Sequence, residues 1–123
     1  MEAATTPEQL CQLVTQALDD AKAQNVTVLD VRGLTDITDF MVVASGTSDR
    51  HVRTLADKVL ASARDWGIRP VGVEGQQQGQ WVLVDLGDVI LHSMQPDVRE
   101  FYQLEKLWSD VGPNPRVQAG AAS

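Results

Sequence analysis

The sequence predicts a single α/β domain whose mixed sheet of about five strands is flanked by helices. Helical and strand patterns follow one another in the order α-β-β-α-β-β-β-α. A strand, a crossover helix and another strand imply some parallel pairing, while a final hairpin is antiparallel, so the sheet should be mixed. The chain has 123 residues, 43% of them hydrophobic. That length is enough for one compact core and too short for two ordinary domains.

The first helix and the first two strands follow from short local patterns. The helix is predicted over about residues 7–24, because Thr6 begins a capping-box spacing and Pro7 suits a first turn. Residues 26–31 are β-branched and apolar and predict the first strand. Residues 40–44 are apolar with almost no alternation, which indicates a second strand buried on both faces.

In the second half of the chain, predicted caps and turns mark where the helices and strands begin and end. Ser48 is the expected cap of a long amphipathic helix that Gly67 closes. Gly87 and Asp88 give a tight hairpin signal, and Asp97 is the expected cap of the last helix. The remaining predicted elements are strands over residues 71–73, 81–86 and 89–94 and a helix over residues 98–110.

The C-terminal residues differ in composition from the rest of the chain. From Gly112 onward the sequence holds two prolines and three alanines with almost no charge or bulk. Such a segment buries too little surface to offset its ordering entropy. We therefore expect one domain over residues 1–110 and a disordered tail over residues 111–123.

Charge and composition narrow the classes of function. Ten Lys and Arg against 17 Asp and Glu give a net charge of -7, which repels phosphates and predicts little or no direct contact with nucleic acid. A role connected with RNA would run more naturally through a basic protein partner. No apolar run approaches the roughly 20 residues of a membrane span, and the N-terminus has no secretory pattern. We expect a cytoplasmic protein without membrane contact.

A Gly-Ser turn before the second helix leaves an enzymatic alternative open. Residues 46–48 could present backbone N–H groups to a phosphate, and nucleotidyltransferase-type sites begin with such a turn. Those sites also need two carboxylates on a neighbouring strand to hold metal ions, whereas Asp85 and Asp88 are separated by a hairpin turn. The histidines, His51 and His92, have no spacing that forces them together. The sequence therefore predicts no catalytic, cofactor-binding or metal-binding residues.

Trp81 is the most informative single residue for a binding function. It opens a strand directly after a polar Gln/Gly loop, where a bulky side chain is less easily covered than in a central strand. Core packing is one reading, because Trp is highly buried on average. An exposed anchor is the other, because Trp and Tyr are common hot spots of protein interfaces.

Four blocks of the sequence resemble one known family. They are ITDFMVVASGTSDRHV at residues 37–52, VEG at 73–75, WVLVDLGDVILH at 81–92 and REFYQLEKLW at 99–108. In this order, over about residues 7–110, they closely resemble the ribosomal silencing factor family, also called Iojap-related. The resemblance implies a fold related to nucleotidyltransferases without their catalytic carboxylates, and no cofactor.

The function implied by the resemblance is translational repression. A member of this family would bind large-subunit ribosomal protein fourteen, sterically block joining of the small subunit, and slow translation under nutrient limitation or in stationary phase. Trp81 matches the tryptophan that opens the family's partner-binding strand, and alternation puts Leu83 and Asp85 on the same face. The predicted partner-binding residues are Trp81, Leu83, Asp85, Asp88, His92 and Tyr102.

Two alternatives to this repressor stay open at the level of sequence. One is a nucleotide-binding or nucleotidyltransferase-type enzyme that uses the turn at residues 46–48. The other is a self-associating scaffold, because an exposed apolar patch can pair with its own copy, giving a homodimer when the partner is absent.

Overall fold

The computed structural model describes residues 6–102, and of Tyr102 it describes the backbone alone. The elements are α1 (Pro7–Asp20), β1 (Gln24–Asp30), β2 (Phe40–Ser45), α2 (Asp49–Asp65), β3 (Gly72–Glu74), β4 (Trp81–Asp85), β5 (Val89–Met94) and α3 (Pro96–Tyr102). The predicted element order is confirmed. The predicted extension of the last helix to residue 110 and the tail at 111–123 lie outside the described residues.

The five strands form one mixed sheet in the order β1-β2-β5-β4-β3. β2 and β5 run parallel, while the other neighbouring pairs are antiparallel. The connection between β2 and β5 includes α2, as a parallel pairing requires. The prediction of a mixed α/β sheet is therefore confirmed, and β5 is its central strand.

The helices α1 and α2 pack against one face of the sheet. The core between them contains Val14 and Leu18 of α1, Leu55 and Val59 of α2, and Leu91 of β5, all fully buried. Every residue of β2 and β5 is buried, so both strands are covered on both faces. This confirms the interpretation of the unbroken apolar run in β2, since two-sided burial removes the need for polar alternation.

The α3 helix is tied to the opposite face of the sheet. Its Arg99 donates hydrogen bonds from the guanidinium to Ser45 Oγ at 2.8 Å and Thr27 Oγ1 at 3.0 Å. Thr27 lies opposite Val43, a residue of β2 that points away from the core beneath the helices. Two neighbouring strands thus hold the start of α3 on the face away from α1 and α2.

The predicted caps Thr6 and Ser48 are confirmed, but α1 ends earlier than expected. Both hydrogen bonds of the capping box at Thr6 are present, and Ser48 Oγ accepts from the His51 N–H at 3.1 Å. The prediction that α1 continues to residue 24 is wrong. Ala23 N donates to Leu18 O at 2.9 Å across Lys22, whose φ is 65°. A residue in this left-handed conformation often ends a helix and is usually glycine. A lysine at position 22 therefore did not indicate a helix end in the sequence.

The last helix begins two residues before the predicted start. Pro96 occupies its first position, and Arg99 N donates to Gln95 O at 3.0 Å. Asp97 therefore lies inside the first turn and is not the cap, which corrects the prediction. Proline at the first helical position is favourable because its missing N–H has no partner there in any case.

Within residues 6–102, no helix has the length and apolar character needed to cross a membrane.

Candidate functional site

The β4 strand presents alternate side chains to the two faces of the sheet. Val82 and Val84 are fully buried against the helices, whereas Trp81, Leu83 and Asp85 are half-buried on the opposite face. This alternation follows from the period of two residues along a strand. The prediction that Trp81, Leu83 and Asp85 share a face is confirmed.

A hydrogen bond fixes the Trp81 indole against the centre of the sheet. Its Nε1–H donates to His92 Nδ1 at 3.0 Å, and the two rings lie 5.8 Å apart with an interplanar angle of 52°. His92 lies opposite Leu83 in the ladder, diagonal to Trp81. His92 is only 6% exposed, and burial lowers its pKa to about 4. The imidazole is therefore neutral, with Nδ1 available as the acceptor.

Trp81 forms one wall of a groove against the first turns of α3. The groove has a volume of about 480 Å³ and is lined by Gln80, Trp81, Asp97, Val98 and Phe101. Phe101 is 79% exposed, and Asp97 is exposed beside it on α3. We call these five residues the Trp81 groove. It combines aromatic surface with a carboxylate, which suits an apolar contact flanked by a cation.

The groove includes residues that the sequence did not assign to the site. Asp97 was expected only as a helix cap and Val98 only as a helix residue. Both lie beside Trp81, because Met94, the last residue of β5, pairs with Trp81. Gln95 N extends this ladder by donating to Gln80 O at 3.1 Å. The pairing register of the predicted hairpin could have indicated this contact. It places Met94 opposite Trp81, so the residues that follow β5 lie next to Trp81.

The other predicted site residues occupy different surroundings. His92 lies beneath Trp81 and offers almost no surface of its own. Asp85 Oδ1 accepts from Gly87 N at 2.8 Å, which stabilises the hairpin turn. Asp88 is exposed on that turn, beyond the end of a strand that spans about 13 Å from Trp81. The Tyr102 side chain lies outside the described residues.

The loop before β4 is packed tightly enough to restrain Trp81. Gly75 has a φ of 86°, and a Cβ there would clash with the Trp81 carbonyl oxygen. Gly79 has a φ of 71°, and a Cβ there would meet Arg53 and the Asp49 carbonyl of α2. Two positions without side chains thus let the loop fit between α2 and the start of β4.

The turn before α2 has its polar groups committed within the chain. Gly46 N donates to Met94 O at 2.9 Å, and Thr47 N donates to His51 Nδ1 at 2.9 Å. The other ring nitrogen of His51, Nε2, lies 2.9 Å from Ala21 O, so this ring bridges α1 and the turn. Across the described range, no group of three or more His, Cys, Asp or Glu side chains is placed to hold a metal ion.

Comparison with known proteins identifies the family. The family described as "Ribosomal silencing factor during starvation" matches residues 4–122. The chain belongs to the ribosomal silencing factor family. A ribosomal silencing factor from Chromobacterium violaceum is 41% identical over 115 residues, covering 94% of this chain and 93% of the relative. Membership assigns the chain a ribosome-associated role in silencing translation.

Structural and more distant relatives agree with this assignment. A crystal structure of a Chromobacterium violaceum protein superposes with a TM-score of 0.84 at 39% identity, covering 89% of this chain and 91% of that one. The mouse protein named "Mitochondrial assembly of ribosomal large subunit protein 1" is 32% identical over 100 residues, covering 79% of this chain and 44% of that protein. The ribosomal silencing factor fold is thus matched over most of its length.

Proposed function

We propose that this ribosomal silencing factor binds the large ribosomal subunit through large-subunit ribosomal protein fourteen and sterically blocks joining of the small subunit. Translation would slow as a result, under nutrient limitation or in stationary phase. The family assignment supports the ribosomal part of this proposal. The mouse relative, whose name refers to the large subunit, favours that subunit as the site of attachment.

The observation that carries the proposed contact is the Trp81 groove. A half-buried indole beside an exposed phenyl ring gives an apolar surface of the kind that dominates binding energy at protein interfaces. Asp97 adds a carboxylate at its edge, and the chain as a whole carries a net charge of -7. These charges favour a basic protein surface and disfavour direct binding to RNA phosphates.

His92 supports the same contact from below. It is too buried to contribute much area, so we assign it to positioning, with its Nδ1 holding the Trp81 N–H. A side chain that is already oriented loses less conformational entropy when a partner binds. Leu83 and Asp85 extend the surface along β4 from Trp81, whereas Asp88 would contact the partner only if the interface reached the hairpin turn.

The proposed action is stoichiometric occupancy in the cytoplasm, without turnover. A bound factor represses in proportion to the fraction of subunits that it occupies, so affinity and abundance set the effect. The nucleotide-binding alternative is less well supported, because the N–H groups of Gly46 and Thr47 already donate within the chain.

Substitution of Trp81 tests the proposed contact directly. Trp81→Ala should weaken binding to purified ribosomal protein fourteen by about 2 kcal/mol or more, as expected for a hot-spot tryptophan. Isothermal titration calorimetry would measure the change. Trp66→Ala is the matched control, because Trp66 is 52% exposed at the end of α2 and lies outside the groove. Unchanged binding by a folded Trp81→Ala protein would remove the groove from the contact.

A further inference from the structure

A second pocket lies on the helix side of the sheet, at its β3 edge. Its volume is about 600 Å³, within the usual range for binding sites. Its apolar lining, which we call the floor, consists of Leu60, Ile68, Pro70 and Val73, and Arg64 and Arg69 line the same pocket. We call these six residues the edge pocket. Leu60, Ile68 and Val73 also pack against the core beneath the helices, whereas the Trp81 groove belongs to the opposite face.

The two arginine side chains of the edge pocket are not committed to partners among the described residues. Between residues 6 and 102, neither guanidinium makes an ion pair or a hydrogen bond. Arg64 lies in the last turn of α2, where its charge complements the helix dipole without a hydrogen bond to the helix end. Two of the last carbonyls of α2 accept from the backbone instead, because Ile68 N donates to Ala63 O at 2.8 Å and Gly67 N donates to the Arg64 carbonyl at 2.9 Å.

The charge at this pocket is opposite to that of the whole chain. No acidic residue is among the described residues that line it, although the chain carries 17 Asp and Glu. Two guanidinium groups that share a pocket with apolar side chains match a ligand that combines carboxylates with aliphatic side chains. Bare phosphates would leave the apolar floor unused, and the net charge of -7 would repel a polynucleotide.

The position of the pocket favours an extended ligand. β3 ends the sheet and pairs with β4 alone among the described strands. Val71, directly before β3, is 72% exposed, and Trp66, directly before Gly67, is 52% exposed. An open edge beside exposed apolar side chains is where an added strand can pair through its backbone and place alternate side chains in pockets.

We propose that the edge pocket binds an extended acidic and apolar segment of a second protein, separate from the partner of the Trp81 groove. Aliphatic side chains of that segment would fill the floor, and its carboxylates would pair with Arg64 and Arg69. The ribosomal silencing factor would then have contact surfaces on both faces of its sheet. It could hold a second protein while attached to the ribosome.

Nuclear magnetic resonance titration of the full chain with two peptides tests this proposal. One blocked peptide alternates Val with Glu, and the other alternates Val with Lys. The Val-Glu peptide should shift the amide signals of Ile68, Val71 and Val73 in a saturable way, whereas the Val-Lys peptide should not. The double variant Arg64→Glu with Arg69→Glu should weaken binding of the Val-Glu peptide by about tenfold.

Two control variants separate this site from the ribosomal one. Arg50→Glu changes an exposed arginine of the same helix outside the pocket and should bind the peptide normally. Trp81→Ala should also bind it normally, so failure at one site is distinguishable from failure at the other. Equal shifts with the Val-Lys peptide or a uridine oligonucleotide would overturn the proposal. Unchanged binding of the Val-Glu peptide by the double variant would also overturn it. The same is true if concentrating the protein without peptide produces the same shifts.

Discussion

At the scale of single residues, the pair formed by Trp81 and His92 explains how a large aromatic side chain is held at a sheet surface. The indole N–H has an acceptor 3.0 Å away in Nδ1 of His92. His92 in turn is kept neutral by burial, which lowers its pKa to about 4. Sequence alone placed both residues in one patch but could not distinguish the side chain that faces a partner from the one beneath it.

The role of His92 predicts different effects for two substitutions. His92→Asn can keep an acceptor near the position of Nδ1, whereas His92→Phe removes it. We expect His92→Phe to lower the free energy of unfolding by about 1–2 kcal/mol more than His92→Asn, because a partly buried N–H loses its acceptor. Chemical denaturation would measure both variants. Equal losses would show that the hydrogen bond between Trp81 and His92 does not contribute to stability.

The lowered pKa of His92 predicts a pH dependence of stability. The ordinary pKa is 6.5 and the folded value is about 4, so between these values the unfolded chain binds a proton that the folded chain does not. The free energy of unfolding should therefore fall as the pH decreases from 6.5 to 4, by on the order of 3 kcal/mol from this group. Protonated Nδ1 could no longer accept from Trp81.

His92→Asn isolates this contribution from the titration of Asp and Glu. The difference in free energy of unfolding between the original chain and His92→Asn should shrink or change sign as the pH falls through this window. Denaturant curves at a series of pH values would show it. A constant difference from pH 7 to pH 4 would mean that His92 does not carry the dependence.

At the scale of elements, the Trp81 groove depends on how a loop and a helix are anchored. The loop before β4 approaches Trp81 at Gly75, where a side chain has no room. The α3 helix is held on the other side by Arg99, which bonds Ser45 and Thr27. The two walls of the groove, Trp81 and α3, are therefore positioned by contacts with residues outside the groove.

A substitution at Gly75 tests the contribution of the loop. Gly75→Ala should lower the free energy of unfolding by more than about 2 kcal/mol, because it combines a left-handed backbone with a clash at the Trp81 carbonyl. Gly33→Ala is a matched control. Gly33 has a φ of 85° with no atom within 4 Å of an added Cβ, so it should cost only about 1 kcal/mol. Similar losses in thermal unfolding would argue against the close packing at Gly75.

The elements also show where the sequence was sufficient for prediction and where it was not. β2, α2 and β5 were predicted closely because unbroken apolar runs, a serine cap and a closing glycine act locally. The end of α1 was missed because Lys22 adopts a conformation usually taken by glycine. Asp97 was missed as a groove residue because its place beside Trp81 depends on the register of two strands.

At the scale of the whole molecule, the sheet separates two surfaces of different chemistry. One face carries the Trp81 groove with its carboxylate, and the other carries the edge pocket with two guanidinium groups. The net charge of -7 favours recognition of basic proteins. If the proposed steric block is the mechanism of silencing, the effect should follow occupancy of the large subunit.

Subunit joining is the measurement that tests this account most directly. Purified large subunits would be incubated with the full chain, Trp81→Ala or Trp66→Ala, mixed with small subunits, and separated on a sucrose gradient. We predict that the original chain and Trp66→Ala sediment with the large subunit and reduce joined ribosomes, while folded Trp81→Ala does neither. Normal joining in the presence of the bound original chain, or full inhibition by Trp81→Ala, would contradict the account.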